Sequence, residues 1–279
     1  IAIDLMGYTS DNRFYIFRNR IAPTQINYLG FPGTMGSKFY DYIIGDKLII
    51  PKKDEKFYTE KVLKLNHFFP PNRFIRDLSS EFSLSKKDFK IPQNAFIFTC
   101  FNGSKKITPK EFDIWMNLLN KIEDSILWLR KVDNFSEINL KKEAEKRNID
   151  PERIIFAERL EKKEQHLARY KISDLGLDTF NYNGHTTTSD ALWSGLPVLT
   201  KIGKSFASRV AASILNSLDL NDLITTTERE YEEKAIYLAQ NRDEILRLKN
   251  QLKTLNDTNL VNPENYAKEL ESLYMKIIK

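Results

Sequence analysis

Short apolar runs alternate with longer amphipathic stretches from about Ala95 onward. Short runs rich in Ile, Leu, Val and Phe predict β-strands, whereas apolar residues that recur every three or four positions predict helices. The predicted strands are Ala95–Phe101, Ile126–Lys131, Ile154–Ala157, Leu175–Asp178, Pro197–Thr200 and Leu223–Thr225. Each gap between them can hold one helix, and this alternation is typical of an α/β fold with helices on the faces of a parallel sheet.

Polar residues mark where two of the predicted helices begin. Thr108 suits a helix N-cap, Pro109 suits the first helical position, and Glu111 would complete a capping box. The spacing Thr227-x-x-Glu230 predicts a second capping box ahead of a later helix. These signals predict helices that begin close to Pro109 and just after Thr227.

Two helical patterns follow towards the end of the chain. The apolar spacing from Glu228 to Leu255 resembles a heptad pattern but is too short for a coiled coil, so we expect a surface helix packed on the same lobe. Pro263 and Glu264 predict the start of a final helix that runs to Lys279. The apolar residues of this last helix share one face, which therefore needs a partner.

The pattern before about residue 85 is different. It contains a strand within Ile1–Leu5, a segment punctuated by Pro and Gly from Ala22 to Gly36, and another strand at Tyr40–Ile44. Pro70-Pro71 and the polar stretch from Asp77 to Lys90 predict a linker. We therefore expect the residues before this linker to form the tail of a separate lobe.

Charged residues are numerous but nearly balanced. Among 279 residues there are 43 Lys and Arg against 38 Asp and Glu, and the net charge of +5 is scattered over predicted helices. A nucleic-acid-binding surface would concentrate Lys and Arg on one element, so we expect no nucleic-acid partner. No apolar run approaches the roughly 18 residues of a membrane span, and no signal-like leader opens the chain, so we expect a cytoplasmic protein without a membrane partner. The first residue, Ile1, suggests that the numbering starts inside a longer polypeptide.

Cysteine and histidine are scarce. Cys100 is the single cysteine of the sequence, which predicts no disulfide framework and fits a reducing compartment. The three histidines are His67, His166 and His185, and no Asp-x-Asp or His-x-x-x-His spacing accompanies them. We therefore expect no bound metal, and we interpret His67 as a packed or capping histidine.

The turn after the predicted strand Leu175–Asp178 is the richest in chemistry. A glycine and several hydroxyls precede a predicted helix in the run Asn181-Tyr182-Asn183-Gly184-His185-Thr186-Thr187-Thr188-Ser189-Asp190. Ligands of open parallel sheets bind beyond the carboxyl ends of the strands, and free amides at a helix N-terminus attract anions. The turn therefore suits a diphosphate, with Asp190 within reach of a ribose hydroxyl. The spacing Thr187-x-x-Asp190 also fits a simple capping box, and the sequence leaves both interpretations open.

Three basic residues are further candidates. Lys106 follows the first strand of the same lobe and can bring an ammonium group to bound phosphates. Lys163 and His166 lie one helical turn apart and can hold a base and a ribose from the opposite side. Each of the three also fits an ordinary surface position.

Four blocks of sequence point to a known family. They are Gly7-Tyr8-Thr9 with Arg13, Ala22–Gln25, Leu29–Gly36 and Asp41–Ile43; then Phe101-Asn102 with Lys106-Ile107; then Asp178–Thr200; and last Ala207–Ser213. In content and order they resemble the catalytic region of the O-linked N-acetylglucosamine transferases and their plant Spindly-type relatives. The resemblance covers nearly the whole chain.

The resemblance implies a fold and an activity. The fold is α/β of the GT-B type with two Rossmann-like lobes, the first only partly present: residues 1–85 end the acceptor-side lobe and include the linker, residues 86–262 form the nucleotide-sugar-binding lobe, and residues 263–279 form a helix that returns to the first lobe. The implied reaction is an inverting, metal-independent transfer, without a cofactor, of a sugar from a nucleotide sugar, UDP-GlcNAc, to Ser or Thr hydroxyls of proteins. Helical repeats and the catalytic base are expected upstream of Ile1. An O-fucosyl or other glycan transferase, and a non-catalytic nucleotide-sugar-binding module, stay open as alternatives.

The resemblance also assigns roles to residues. Lys106 neutralises the diphosphate and is the expected catalytic residue, while His185 and the threonines after it line the phosphates. Asp190 holds the ribose. The expected donor-binding residues are Asn102, Lys163, His166, Asn183, Gly184, His185, Thr186, Thr187, Asp190, Leu29 and Gly30.

Overall fold

A computed structural model of the chain describes residues 1–66, 83–255 and 263–278. The described residues form two units, one within Ile1–Arg73, Lys204–Asp219 and Asn259–Lys279, and the other within Phe74–Gly203 and Leu220–Thr258. His67, Pro70-Pro71 and the first part of the polar stretch Asp77–Lys90 lie outside the described residues, so the interpretations placed on them stay predictions.

The elements alternate along the chain. The strands are β1 Ala2–Asp4, β2 Gln25–Asn27, β3 Tyr42–Asp46, β4 Lys61–Leu65, β5 Phe96–Cys100, β6 Ser125–Arg130, β7 Ile154–Ala157, β8 Leu175–Leu177, β9 Val198–Lys201 and β10 Ile224–Thr225. The α-helices are α1 Pro109–Lys121, α2 Asn134–Glu145, α3 Lys163–Ala168, α4 Thr186–Trp193, α5 Val210–Ser217, α6 Glu228–Gln240, α7 Arg242–Leu255 and α8 Pro263–Ile277. Short 3₁₀ helices span Phe14–Asn19, Lys52–Phe57, Lys86–Phe89, Ser104–Lys106, Pro151–Arg153, Arg169–Ile172, Phe206–Ser208 and Asn221–Leu223. Among the described residues no helix is both long and apolar enough to span a bilayer.

The first unit contains a parallel sheet of four strands in the order β1-β2-β3-β4. The predicted strands near the chain start and at Tyr40–Ile44 are confirmed as β1 and β3, whereas β2 and β4 were not predicted. β2 was missed because two of its three residues are polar although all three are buried. The side chain of Gln25 donates to the carbonyl oxygens of Phe17 at 2.8 Å and Phe39 at 2.6 Å, so tertiary hydrogen bonds replace the usual apolar pattern.

Two later segments belong to this first unit. In α5, the hydroxyl of Ser213 donates to the carboxylate of Asp46 at 2.5 Å, and Arg209 just before α5 pairs with Asp54 at 2.7 Å. The helix α8 packs beside β4, and its Tyr266 hydroxyl hydrogen-bonds to that of Tyr28. The predicted second lobe, residues 86–262, included Lys204–Asp219, whereas the structure assigns this segment to the first unit. The reason is that its polar side chains bond to residues of the first unit.

The second unit contains a parallel sheet of six strands in the order β10-β9-β8-β5-β6-β7. All six predicted strands are confirmed, with ends that differ by at most one residue. All five residues of β5 are buried, and Trp128 of β6 is fully enclosed. The helix α1 packs on β6 and α6 and buries Trp115 between them. These runs were predictable because strands covered on both faces are continuously apolar.

Two helix predictions need correction. The segment from Glu228 to Leu255 is two helices, α6 and α7, because the chain leaves the helical conformation at Asn241, whose side chain donates to the carbonyl oxygen of Tyr237 at 2.7 Å. The capping box at Thr227 and Glu230 is confirmed. The one predicted at Thr108 and Glu111 is wrong, although α1 does begin at Pro109.

Candidate functional site

The candidate site lies at the carboxyl ends of β5 and β8, which are neighbours in the sheet of the second unit. The chain moves outward from β5 through β6 to β7, and then returns to β8 on the other side of β5. The loops after β5 and β8 therefore leave the same edge of the sheet and diverge to opposite sides. Such a switch point leaves a crevice where open α/β sheets bind their ligands.

A buried carboxylate joins these loops. Asp178 follows β8 directly and is 1% exposed. Its Oδ1 accepts hydrogen bonds from the side-chain amide of Asn102 at 3.1 Å and from the backbone amide of Gly184 at 2.7 Å, and its Oδ2 accepts one from the Thr200 hydroxyl at 2.7 Å. Burial raises the pKa of this carboxyl to about 6, against the lowering effect of these hydrogen bonds. Asp178 thus holds β9 and the loops after β5 and β8 in one arrangement.

The turn itself has no room for a larger residue at Gly184. A Cβ atom there would lie 2.5 Å from the Thr187 hydroxyl oxygen and 2.8 Å from Oδ1 of Asn102. The preceding residue, Asn183, is fully buried and donates through its side chain to the carbonyl oxygen of Thr179 at 2.8 Å. The turn is therefore fixed by hydrogen bonds on one side and by close packing on the other.

The helix α4 starts directly after the turn at Gly184. The helix begins at Thr186 with His185 as N-cap, and the His185 side chain makes no capping hydrogen bond to it. The hydroxyl of Thr187 donates instead to the side-chain oxygen of Asn102 at 2.5 Å. The capping-box interpretation of Thr187 and Asp190 is therefore wrong, and the first amides of α4 keep the geometry that suits an anion.

Lys106 reaches this turn from the loop after β5. Its Nζ atom donates to the carbonyl oxygen of Asn183 at 2.9 Å and lies 4.0 Å from the centre of the Tyr182 ring. Burial lowers the pKa of Lys106, while the charge of Asp178 opposes that effect. The interpretation of Lys106 as a solvated surface lysine is wrong, since its ammonium group is brought to the candidate diphosphate turn.

The other candidates of this unit lie on α3 and α4. His166 is half-buried, with its ring centre 5.2 Å from that of Tyr170, and its Nδ1 contacts the guanidinium group of Arg169. Burial, reinforced by Arg169, lowers the pKa of His166 to about 4, so its imidazole is neutral near pH 7. Lys163 is exposed, and its charge lowers the pKa of half-buried Asp190, although burial raises it more. The structure thus brings the charges of Lys163 and Asp190 within electrostatic range.

Leu29 and Gly30 belong to the first unit, in the loop after β2. Leu29 has a positive φ of 86°, and a Cβ atom on Gly30 would lie 2.4 Å from the carbonyl oxygen of Leu5. This loop is therefore tightly packed against the end of β1. Their role as sugar contacts stays a prediction.

Three residues of the site were not singled out from the sequence. Asp178 closed a predicted strand, Tyr182 was only part of the turn, and Glu111 was interpreted as a helix cap. Glu111 is fully buried, accepts the backbone amide of Phe180 at 2.7 Å, and also contacts the Thr108 hydroxyl. An acidic residue amid the apolar pattern of α1 was the available signal, because buried carboxylates need specific partners.

Metal ligands do not gather in this region. Within residues 1–66, 83–255 and 263–278 there is no group of three or more His, Cys, Asp or Glu side chains that could hold a metal ion. The basic and amide groups at the turn are the positive features available to a phosphate there.

Comparison with known proteins identifies the family. The profile of glycosyl transferase family 41 matches residues 1–84 and 76–270. The chain is 34% identical, over 99% of its length, to the probable UDP-N-acetylglucosamine–peptide N-acetylglucosaminyltransferase SEC of Arabidopsis thaliana, of which it covers 29%. It is 29% identical, over 98% of its length, to the probable UDP-N-acetylglucosamine–peptide N-acetylglucosaminyltransferase SPINDLY of Solanum lycopersicum, of which it also covers 29%. The chain thus spans less than a third of the length of these curated relatives.

A solved structure agrees. An O-GlcNAc transferase mutant from Thermobaculum terrenum is similar with a TM-score of 0.90 and 28% sequence identity, over 98% of this chain and 52% of that one. The expected α/β fold of the GT-B type is confirmed. The chain belongs to glycosyl transferase family 41.

Proposed function

We propose that this chain is the donor-binding part of a glycosyltransferase that moves N-acetylglucosamine from UDP-GlcNAc to Ser or Thr hydroxyls of proteins. Family membership and the names of the relatives support this activity. The observation that carries it is the turn before α4, where Gly184 is packed against Asn102 and the ammonium group of Lys106 is bonded to the carbonyl oxygen of Asn183.

The chemistry requires positive potential at the leaving group. The acceptor oxygen forms a bond to the anomeric carbon, the bond from that carbon to the diphosphate oxygen breaks, and the hydroxyl proton passes to a base. Negative charge therefore grows on the diphosphate as the sugar departs. Lys106 and the first amides of α4 would stabilise that charge without a metal ion, because they are held in place before the reaction begins.

The nucleoside would be held on the other side of the turn. Asp190 is half-buried one helical turn inside α4, where its carboxylate can accept hydrogen bonds from ribose hydroxyls. The neutral imidazole of His166 can pack against a base without adding charge, and Lys163 can contact the ribose or the adjoining phosphate. His185, Thr186 and Thr187 would line the phosphates.

Location and partners are proposed with the activity. A cytoplasmic location is supported by the buried free thiol of Cys100, the single cysteine of the sequence. The partners would be the nucleotide sugar, a protein acceptor and helical repeats elsewhere in the full polypeptide, the last of these resting on the family resemblance alone.

The direct test is ligand stabilisation followed by turnover. UDP should raise the melting temperature of the chain more than GDP does, and UDP-GlcNAc should then be assayed for hydrolysis and for transfer to a Ser- and Thr-containing peptide. A larger shift with GDP would favour the fucosyl-donor alternative, and stabilisation without turnover would favour the binding module. No shift with either nucleotide would reject the proposed function.

A further inference from the structure

One aromatic ring touches both side chains proposed to hold the phosphates. Tyr182 is 37% exposed in the turn between β8 and α4. Its ring centre lies 4.0 Å from Nζ of Lys106 and 4.9 Å from the centre of the His185 ring, with 22° between the two ring planes. Lys106 and His185 are therefore linked through Tyr182, although they come from different loops.

The backbone around Tyr182 is fixed as well. Its carbonyl oxygen accepts the hydroxyl of Thr179 at 2.6 Å, and the same hydroxyl accepts the side-chain amide of Asn102 at 2.9 Å. The next carbonyl, that of Asn183, accepts Nζ of Lys106 at 2.9 Å. The ring is thus mounted on a rigid turn, and Lys106 is held by the ring and by the neighbouring peptide group together.

The partner of the Lys106 ammonium group here is an aromatic ring and not a carboxylate, and this difference affects its charge. The negative face of the ring attracts an ammonium group but does not neutralise its charge. Lysine side chains are otherwise mobile, and a ligand that fixes one must overcome about 2 kcal/mol of rotamer entropy. The ring therefore does not cancel the positive charge that Lys106 offers to phosphates, and Lys106 loses less freedom when they bind.

We propose that Tyr182 is a positioning residue that holds Lys106 and His185 in place for the diphosphate before the donor binds. This inference rests on the proposed function, because it assumes that phosphates occupy the turn. It also concerns phosphates specifically. Loss of the ring should weaken the binding of UDP and leave the binding of uridine, which has no phosphate, unchanged.

The test compares Tyr182→Leu with Tyr182→Phe, which keeps the ring. Titration calorimetry should show UDP binding weaker by about tenfold in the Leu variant, as expected for one cation–π contact that is partly desolvated. The Phe variant should stay within about twofold of the parent, since the ring face is retained. Tyr237→Leu is the matched control, because Tyr237 also lies under a lysine ammonium, 5.5 Å from Nζ of Lys234, but on α6.

A double-mutant cycle decides whether Tyr182 acts through Lys106. If it does, the loss of UDP affinity caused by Tyr182→Leu should be smaller in a Lys106→Ala background than in the parent, and the loss that remains is the part transmitted through His185. Equal losses in both backgrounds, a loss of uridine binding, or unchanged UDP affinity in Tyr182→Leu would each overturn the inference. If Tyr182→Leu fails to fold, Tyr182→Gln takes its place. A parent chain that binds neither UDP nor GDP would reject the proposed function itself, so the two failures are distinguishable.

Discussion

Each parallel sheet has a buried aspartate at or just after the end of a strand. The two aspartates differ in how far along the chain their backbone hydrogen-bond partners lie. In the first unit, Oδ1 of Asp46 accepts the backbone amides of Leu48 at 2.8 Å and Ile49 at 2.7 Å, two and three residues ahead, while Oδ2 accepts the hydroxyl of Ser213 in α5. Ile49 and the residue after it are fully buried, so the turn closes on itself. Asp178 of the second unit reaches six residues ahead to Gly184 and across to Asn102.

The difference shows that a buried aspartate at a strand end can stabilise either a sealed turn, which is buried in the core, or an open turn, whose residues stay accessible to a ligand. A carboxylate whose backbone partners are the nearest amides tightens a turn into the core. A carboxylate that reaches farther spans a longer loop, and Asn181, Tyr182 and Thr186 of that loop stay exposed. The helix that follows then begins at the surface at Thr186, three residues after the carbonyl group of Asn183 that accepts Nζ of Lys106. The comparison therefore predicts that a ligand binds at the turn stabilised by Asp178 and that none binds at the turn stabilised by Asp46.

The largest expected effect is that of Lys106→Ala. Removing the fixed ammonium group should lower hydrolysis or transfer of UDP-GlcNAc by at least about 100-fold, the usual cost of losing one preorganised electrostatic group. The melting temperature should stay near that of the parent, because the side chain is not part of the core. Lys105→Ala is the control, since Lys105 is the exposed neighbour. Rates within a few-fold of the parent in Lys106→Ala would exclude the catalytic role.

Adding one methyl group should close the open turn. Gly184→Ala would place Cβ within 3 Å of three oxygen atoms, those of Thr187, Thr188 and Asn102, so the turn has to shift. We expect UDP affinity to fall by more than about tenfold, since a displaced turn no longer presents its amides to the phosphates. Gly103→Ala is the matched control, because a Cβ there meets no atom within 4 Å. Calorimetry that finds equal affinities for the two variants would contradict the packing argument.

The two aspartates can be exchanged for asparagine as a paired test. Each change should lower the free energy of unfolding by about 1 to 3 kcal/mol, because an amide cannot accept all the hydrogen bonds of the carboxylate. Asp178→Asn should in addition weaken UDP binding about tenfold, while Asp46→Asn should leave it within about twofold. Urea unfolding and calorimetry measure the two properties separately. A similar loss of UDP affinity in both variants would remove the distinction between sealed and open turns.

The sheet of the second unit was predictable from sequence because its strands are apolar and because Pro109 and the capping box at Thr227 mark where α1 and α6 begin. The sheet of the first unit was only half predictable. Gln25 and Asn27 are buried, and their side chains donate to carbonyl groups six or more residues away, which a pattern of neighbouring residues does not reveal. Lys204–Asp219 belongs to the first unit because Arg209 and Ser213 find acidic partners there, which the alternation of strands and helices could not show.

The residues that would contact a ligand were predicted from the sequence, whereas the buried carboxylates that hold the turn in place were not. The turn, Lys106 and His166 were chosen for chemistry that is visible in the sequence. The placement of the turn depends on Asp178 and on Glu111, which was mistaken for a cap because the spacing to Thr108 is the same in both roles. Local spacing does not distinguish a carboxylate that accepts a helix amide from one that accepts the amide of a distant loop.

The smallest expected effect is a shared pH dependence of the two aspartates. Burial raises the pKa of Asp178 from an ordinary 3.8 to about 6 in the folded chain, so between these values the unfolded state releases the proton and the folded state keeps it. The stability that protonated Asp178 contributes is complete below about pH 3.8 and is lost as the pH rises towards 6. Urea unfolding should therefore show that the parent loses stability relative to Asp178→Asn across this window.

Asp46→Asn should show the same sign, because burial also raises the pKa of Asp46. His166→Gln should show the opposite sign. The pKa of His166 is lowered from 6.5 to about 4, so the unfolded state binds the proton first, and the parent should gain stability over this variant as the pH rises from 4 to 6.5. If the stability differences between the parent and Asp178→Asn and between the parent and His166→Gln change with pH in the same direction, one of the two side chains is not buried as described. If the stability differences for Asp46→Asn and Asp178→Asn change with pH in opposite directions, the two turns are not stabilised by carboxyl groups buried in the same way.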